Sequence, residues 1–423
     1  MKKVRAKTRN GLIAALDVGT TKMCCFIARA DDEDNLRIVG IGHQVSDGVR
    51  GGAIVDMEAT ETSILNAVHA AEQMAGETIR KVVVNLSGGN PASQTRSFEV
   101  SIAGHEVGEA DVRRVLGHGR AQHVSAEREL VHCIPVAYTI NGSRGIRAPK
   151  GMSGERLGVN MHMLTASASA VRTLRTCVAR CHLDVESLVV SSYAAGLSCL
   201  VEDEMNLGAT VIDMGGGTTS IAVFYDGKLV HADSVPVGGS HVTSDIARGL
   251  TTPLVHAERI KTLYGSAISS PSDEREIIDV PLVGEEERAE PNHVPRAIPV
   301  SIIGPRIEET FELIRARLEG SGFDKIAGRR VVLSGGASQL QGVAELGARV
   351  LDKQVRQGRP LRIRGLAEAT GGPAFATCAG LLTYAMKTHA EAPAGVLDFR
   401  ARGAMEEPNS RFGRFGLWLR ENF

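Results

Sequence analysis

Leu16-Asp17-Val18-Gly19-Thr20-Thr21-Lys22 and Ile212-Asp213-Met214-Gly215-Gly216-Gly217-Thr218-Thr219 decide how this chain folds. Leu12-Ile13-Ala14-Ala15-Leu16 leads into the first stretch and Met23-Cys24-Cys25-Phe26-Ile27 leaves it; residues 209–212 and 220–224 do the same for the second. Each glycine turn therefore closes one apolar strand and opens another, which predicts a hairpin at each place. Glycines let backbone N–H groups approach an oxyanion, and the threonine hydroxyls and Lys22 add donors and charge, so two such turns facing each other can clamp a polyphosphate. A carboxylate opposite phosphates requires a cation between them, so Asp17 and Asp213 imply a hydrated Mg²⁺. One turn alone reads more readily as an ordinary hairpin. Two in matching strand contexts read as a duplication.

Composition narrows the alternatives. A chain of 423 residues exceeds a single core and predicts two or more domains. A net charge of −1 and a pI near 6.9 give no field for nucleic acid. Of the seven cysteines, Cys177 and Cys181 stand at helical spacing, but no paired CxxC occurs; reduced core thiols of a cytoplasmic protein are expected. The basic start, Met1 to Arg9, runs into the Asp17 strand rather than a cleavable apolar stretch, so export is not expected. No apolar run approaches bilayer-spanning length.

Along the chain, strands are predicted at Leu12 to Leu16, Met23 to Arg29 and Leu36 to His43, then a helix from Glu58 to Met74 and a strand from Lys81 to Leu86. The second half replays this with strands near Thr210, Ile221 and Leu229 and helices from Val242 to Leu250 and Pro253 to Tyr264. The strand and turn Arg330 to Gly336 echo Lys81 to Gly89. Two α/β halves of one plan result, with a small α+β insert between about Gly88 and Thr165. In the insert, the loop Asn141 to Gly154 fits a hairpin connection or an interaction surface. The acidic stretch Ser269 to Pro299, with Glu285-Glu286-Glu287, reads as a solvated loop beside a short strand, and residues 389–409 as a flexible linker.

The two Asp-Gly-Thr turns, the turn Ser334-Gly335-Gly336-Ala337-Ser338 and their order resemble the actin, Hsp70 and sugar-kinase ATPase superfamily. Val242-Thr243-Ser244-Asp245-Ile246-Ala247, Ala257-Glu258-Arg259-Ile260-Lys261 and Gly145 to Gly154 narrow the resemblance to the FtsA family of bacterial cell-division proteins, over nearly the whole chain. The resemblance implies an α/β, actin-like duplicated ATPase fold with an FtsA-type α+β insert and a C-terminal amphipathic helix. Its divisions would be 1–87 and 167–196 for the first half, 88–166 for the insert, 197–231 and 303–388 for the second half, 232–302 for a small lobe, 389–409 for the linker and 410–423 for a membrane-targeting helix. By the family's pattern, Gly19, Thr20, Thr21 and Lys22 would hold phosphates of ATP from one side and Gly215, Gly216, Gly217, Thr218 and Thr219 from the other, with Mg²⁺ at Asp17 and Asp213. Glu258 and Lys261 would reach the ribose or adenine edge, although the pair taken alone reads first as an i, i+3 surface ion pair. Gly335, Gly336 and Ser338 would flank the adenosine. The implied partners are the tail of the tubulin-like FtsZ, other copies of this chain, anionic lipid, and later division proteins through the insert. The implied location is the cytoplasmic face of the inner membrane at the septum. Arg306, near the start of a helix beginning about Pro305, is a candidate contact for an acidic peptide tail, or a solvated arginine.

No side chain is assigned to orienting an attacking water, so slow turnover by a scaffold is expected, at most a weak ATPase. In the tail, at about 100° per residue, Phe412, Phe415, Leu419 and Phe423 share one helix face with Trp418 on its flank. Arg414, Arg420 and Glu421 lie elsewhere, and Leu417 is off the stripe. Phe412, Arg414, Phe415, Trp418, Leu419, Arg420 and Phe423 suit a lipid interface with anionic headgroups, the alternative being a helix docked on the protein's own body. Gly413 and Gly416 each lower helix propensity by roughly 1 kcal/mol, so the tail is expected to fold on binding. A pilus-assembly actin homologue and a small-molecule kinase of the same superfamily are the rival readings.

Overall fold

Strands β1 (Leu12–Val18) and β2 (Lys22–Ala30) run antiparallel around the first glycine turn, pairing Asp17 with Cys24 and Val18 with Met23. The structure, a computed structural model, describes residues 11–30, 35–121, 125–284, 292–361 and 363–387. Next come β3 (Leu36–Val45), a short hairpin of β4 (Val49–Arg50) and β5 (Ala53–Ile54), α1 (Met57–Ala75) and β6 (Lys81–Leu86), which lies parallel to β1. Helix α1 begins where the Asp56 carboxylate accepts the Glu58 and Ala59 amides and ends at Gly76, whose left-handed φ of 70° closes it. Ile64, Ala67, Val68 and Ala71 form its buried stripe.

The chain then leaves the first half through Gly88 to build the insert. This comprises β7 (Ala92–Ser101), α2 (Glu109–Arg120), β8 (Arg128–Ile140), β9 (Ser143–Ile146) and β10 (Arg156–Ser167), in a sheet ordered β7-β10-β8-β9. The chain returns through α3 (Ala168–Arg180) to β11 (Asp184–Val190), giving the first-half sheet β3-β2-β1-β6-β11. Helices α4 (Ser191–Cys199) and α5 (Glu202–Leu207) lead to β12 (Ala209–Met214), β13 (Thr219–Tyr225) and β14 (Lys228–Val235). Then follow α6 (Gly239–Leu250), α7 (Leu254–Tyr264), β15 (Ile277–Val280), β16 (Asn292–Pro295), α8 (Ala297–Ser321), β17 (Arg330–Ser334), α9 (Val343–Leu351), β18 (Gln354–Gln357) and α10 (Ala376–Lys387). The second-half sheet runs β14-β13-β12-β17-β18, the same order and directions as the first. The expected duplication is thus real at the level of topology.

Several details differ from the sequence expectations. Helix α8 starts at Ala297, not near Pro305, which lies inside it. Proline deprives the Ser301 carbonyl of its intrahelical donor, and because both residues are exposed that carbonyl faces water, so the helix continues. Part of the acidic stretch forms the two-stranded β15-β16 ladder; Glu285, Glu286 and Glu287 lie outside the described residues, as do the basic start and the tail from 388 onward. The divisions at 196–197 and 302–303 fall inside α4 and α8, so the chain crosses there along continuous helices rather than through loops.

The insert also leans on the second half. His162 Nε2 lies 2.9 Å from Ser93 Oγ, the ring's Nδ1 lies 3.1 Å from the Leu229 carbonyl, and the Ala232 amide donates to Ser93 Oγ. Lys228 reaches the Val136 carbonyl at 2.8 Å, and Arg147 pairs with Asp226, so the loop left open between two readings makes an internal contact. These bonds cover the outer edge of β14, which would otherwise present unpaired backbone.

Helices α4 and α10 cross between the two sheets in backbone contact: a Cβ on Gly380 would stand 1.7 Å from the Ala194 carbonyl oxygen. We expect Gly380→Val to lower stability by roughly 3 kcal/mol or more, because backbone cannot move aside as a side chain can. Gly117→Ala in α2, where an added Cβ meets nothing within 4 Å, is the control and gains a few tenths of a kcal/mol or more. Thermal unfolding of both variants checks this.

Candidate phosphate-binding cleft

The two glycine turns have one construction. The Gly19 amide donates to the Lys22 carbonyl at 3.1 Å, and the Gly215 amide to the Thr218 carbonyl at 2.9 Å. They face each other across the molecule. A Cβ on Gly216 would lie 2.4 Å from Thr21 Cγ2, and one on Gly217 would lie 2.6 Å from Thr20 Oγ1. Glycine is required at both for this approach.

Helix α6 sets the orientation of the second turn. The Gly239 and Ser240 amides donate to the Gly215 and Gly216 carbonyls at 2.9 and 2.8 Å. In trans peptides this leaves the Gly216 and Gly217 N–H groups pointing away from α6. Gly238 makes the contact possible, since a Cβ there would be 2.6 Å from both carbonyl oxygens. Sequence reading passed over Gly238-Gly239; a glycine pair just before a helix was the available signal. It also passed over Asn85, buried in an otherwise apolar strand, whose side chain accepts from the Val18 amide at 2.6 Å and approaches Ser191 Oγ at 3.2 Å.

The sequence patterns of two family descriptions match this chain: "Cell division protein FtsA" over residues 210–380 and "SHS2 domain inserted in FTSA" over residues 88–165. The cell division protein FtsA of Rhizobium meliloti (strain 1021) is 47% identical over 98% of this chain and 96% of its own length. The chain belongs to the FtsA family of cell-division proteins. FtsA of Escherichia coli (strain K12) is 33% identical over 98% of this chain and 99% of its own. Among solved structures, the PilM-PilN type IV pilus biogenesis complex aligns with a TM-score of 0.62 at 18% identity, covering 88% of this chain and 98% of that one. MreB5 of Spiroplasma citri bound to ADP aligns at 0.53 and 14%, covering 89% and 98%. These likenesses establish the actin-like fold, and the second pattern identifies the insert as the FtsA-type domain.

Of the residues that the FtsA resemblance pointed to, Gly19, Thr20 and Thr21 of the first turn and Gly215, Gly216, Gly217, Thr218 and Thr219 of the second are brought together. Thr218 Oγ1 points to the Ser87 carbonyl and Thr219 Oγ1 to that of Val237, so these hydroxyls brace the turn from below. Lys22 stands with its ammonium 3.4 Å from the centre of the Phe375 ring and donates to the Ala374 carbonyl. Gly335, at φ 84°, sits against Met214 and Asp213, whereas a Cβ on Gly336 would meet only Ala374 Cβ, at 4.0 Å. Ser338 is buried and its hydroxyl donates to the Gly335 carbonyl at 2.7 Å, so it shapes this turn instead of presenting a hydroxyl to the cleft. Lys261 donates to Glu258 at 2.6 Å, to Thr243 Oγ1 and to the Gly239 carbonyl, which places the pair at the start of α6, beside the second turn. Arg306 is engaged by Asp245 and Glu309, each at 2.5 Å, so it is not a solvated arginine. The seven candidate lipid-contacting residues, Phe412 to Phe423, lie outside the described residues.

Both aspartates are buried. Burial pushes Asp17 up to about 7; Lys22 opposes this and the charge of Asp213 adds to it. Burial also raises Asp213, against the hydroxyls of Ser334 and Thr377, which donate to it at 3.2 Å, and against Lys22. In the unliganded protein the folded state therefore holds a proton on Asp17 that the unfolded chain releases near pH 4. Stability contributed by Asp17 is present below that pH and falls by about 1.4 kcal/mol per pH unit up to about 7. Asp17→Asn is expected to flatten this slope and to melt higher than the parent at pH 7.5 without nucleotide. Melting curves of both proteins between pH 5 and 8 test it.

Proposed function

We propose that this chain binds Mg-ATP between its two glycine turns and serves as a weakly hydrolysing, self-assembling scaffold. It anchors the FtsZ ring to the cytoplasmic face of the bacterial inner membrane at the septum. The observation that carries the nucleotide reading is the apposition of Gly216 and Gly217 to Thr21 and Thr20, two backbone donor loops of one construction on opposite walls of a cleft. Buried carboxylates whose ionisation burial opposes fit the cation: Asp17 and Asp213 supply hard oxygen donors, and a Mg²⁺ beside them would offset that burial. Among the described residues no group of three or more potential ligands gathers, so water and phosphate oxygens would complete its shell. Bound there, Mg²⁺ would neutralise phosphate charge. Lys22 would turn from the Ala374 carbonyl toward phosphate, and Gly335 and Gly336 would border the adenosine. That a structural neighbour, MreB5 of Spiroplasma citri, was solved bound to ADP is in keeping with a nucleotide ligand for this fold.

Membership of the FtsA family supports the cellular part of the reading. No described helix is long and apolar enough to cross a membrane. In this reading residues 410–423 act as a peripheral anchor, and the insert, 88–166, receives later division proteins. Several weak tails on one polymer bind firmly through avidity. The small lobe, 232–302, and the start of α8 would receive the FtsZ tail; an acidic peptide there must compete with Asp245 and Glu309 for Arg306.

Gly216→Asp is expected to abolish Mg-ATP binding in titration calorimetry while leaving vesicle binding intact. Trp418→Glu is expected to do the reverse: no pelleting with anionic vesicles, unchanged ATP affinity. Trp418 is the only tryptophan, so its emission should shift to the blue when vesicles are added to the parent. Undiminished pelleting of the Trp418 variant, with no shift in the parent, would remove the tether from the reading. Turnover is expected far below a typical enzyme's roughly 10 per second; rapid phosphorylation of a small acceptor would point to a kinase.

A further inference from the structure

The β4-β5 hairpin lies where neither composition nor motif called for it. Arg50 pairs with Ala53, and the two residues between them, Gly51 and Gly52, have φ of 56° and 74°, the two-residue turn that glycine permits. The tip touches three things. Its Gly52 amide donates to Thr20 Oγ1 of the first turn at 3.0 Å. Its Gly51 Cα would stand 2.7 Å from a Cβ on Gly217 of the second turn, and the Gly52 carbonyl oxygen 2.3 Å from a Cβ on Gly88, where the insert departs. The base is firm: the Val55 and Asp56 amides donate to the Gly48 carbonyl, and Asp56 caps α1. Between the hairpin and α3 lies a cavity of about 240 Å³, lined by Val18, Val49, Ala53, Ile54, Ala170 and Thr173 among others.

We propose that Gly51 and Gly52 form a wedge that only a nucleoside triphosphate displaces, so that the hairpin reports the third phosphate, on the reading that the cleft binds nucleotide at all. The hydroxyl of Thr20 and the face of Gly217 are the groups that a terminal phosphate between the turns would use, and the tip now engages both. A third phosphate displaces the tip, the Gly52 amide gives up Thr20 Oγ1, and the hairpin moves into the cavity, which is large enough to receive a turn of this size. Nucleotides without that phosphate leave the tip in place. Because the opposite face of Gly52 rests on Gly88, the movement also shifts the root of the insert. Both tip positions demand glycine, since any side chain there would strain the left-handed backbone, and on Gly52 it would crowd Gly88 at 3.1 Å.

Hydrogen exchange on the full chain, read by mass spectrometry and at the Gly52 amide by NMR, tests this with Mg-AMPPNP, Mg-ADP and AMP at saturation set by calorimetry. The expected result is exchange at Gly52 accelerated fivefold or more by Mg-AMPPNP alone, with a parallel change at residues 88–91. Ala170→Leu, which fills the cavity, is expected to weaken Mg-AMPPNP binding tenfold or more while leaving AMP affinity within twofold; Thr173→Met serves if that variant melts early. Unchanged Gly52 exchange in the parent with AMPPNP bound would overturn the wedge and leave the nucleotide site standing. A change at Gly52 without one at 88–91 would overturn the link to the insert. If the parent binds no nucleotide, both the site and the wedge fall.

Discussion

One short segment, Ala374 to Cys378, holds the two halves in register. The Ala374 carbonyl accepts from Lys22 of the first turn and the Phe375 ring lies under the same ammonium, while Thr377 donates to Asp213 of the second turn. Cys378 points its thiol at the Ala15 and Cys24 carbonyls of the first sheet, and the Ala376 carbonyl accepts Ser198 Oγ from α4. That concentration of contacts is possible only because α10 meets α4 backbone to backbone at Gly380. With the helices further apart, the two turns would lose the common support that fixes their spacing. The cleft is therefore a consequence of helix packing as much as of loop sequence.

Electrostatics sets a cost at the cleft. Two carboxylates set deep in apolar strands, each raised by burial, are a cost to the unliganded fold that helix packing must offset. On the proposed reading a cation and phosphate bound there would offset that cost, which would link folding to ligand binding. The thiols differ. Cys24, Cys25, Cys177, Cys181, Cys199 and Cys378 are buried, and burial pushes up Cys25, Cys177, Cys181, Cys199 and Cys378, so they behave as small core side chains and not as nucleophiles.

The insert shows how topology adds function to a duplicated frame. It grows from the first half at Gly88 and returns at β10, yet its firmest external bonds, through Ser93, His162 and Lys228, go to β14 of the second half. An element that spans both halves is placed to respond when they move. Its root lies beside the β4-β5 tip, where Gly52 packs against Gly88.

The sequence by itself determined the local plan. Strand alternation, two Asp-Gly-Thr turns and their repetition specified paired hairpins and hence a duplicated α/β frame, because turn chemistry and binary pattern are encoded within a few residues. The strand and helix pattern also marked an insert between about Gly88 and Thr165, and the family resemblance supplied its type. Sequence could not show that Arg306 is occupied by internal partners, that Asn85 and the Gly238-Gly239 pair support the turns, or that the Gly51-Gly52 tip sits between them. Those facts join residues far apart in the chain, with Arg306 meeting Asp245, Gly217 meeting Gly51 and Gly380 meeting Ala194, and nothing in the local pattern of either partner reports the other. Pro305 makes the same point in reverse: its local rule favoured a helix start, and solvent exposure on one face of α8 overrode it. Which side chains remain available for chemistry was settled by tertiary packing, since a hydrogen bond made inside the protein removes a donor or acceptor that the sequence alone leaves free.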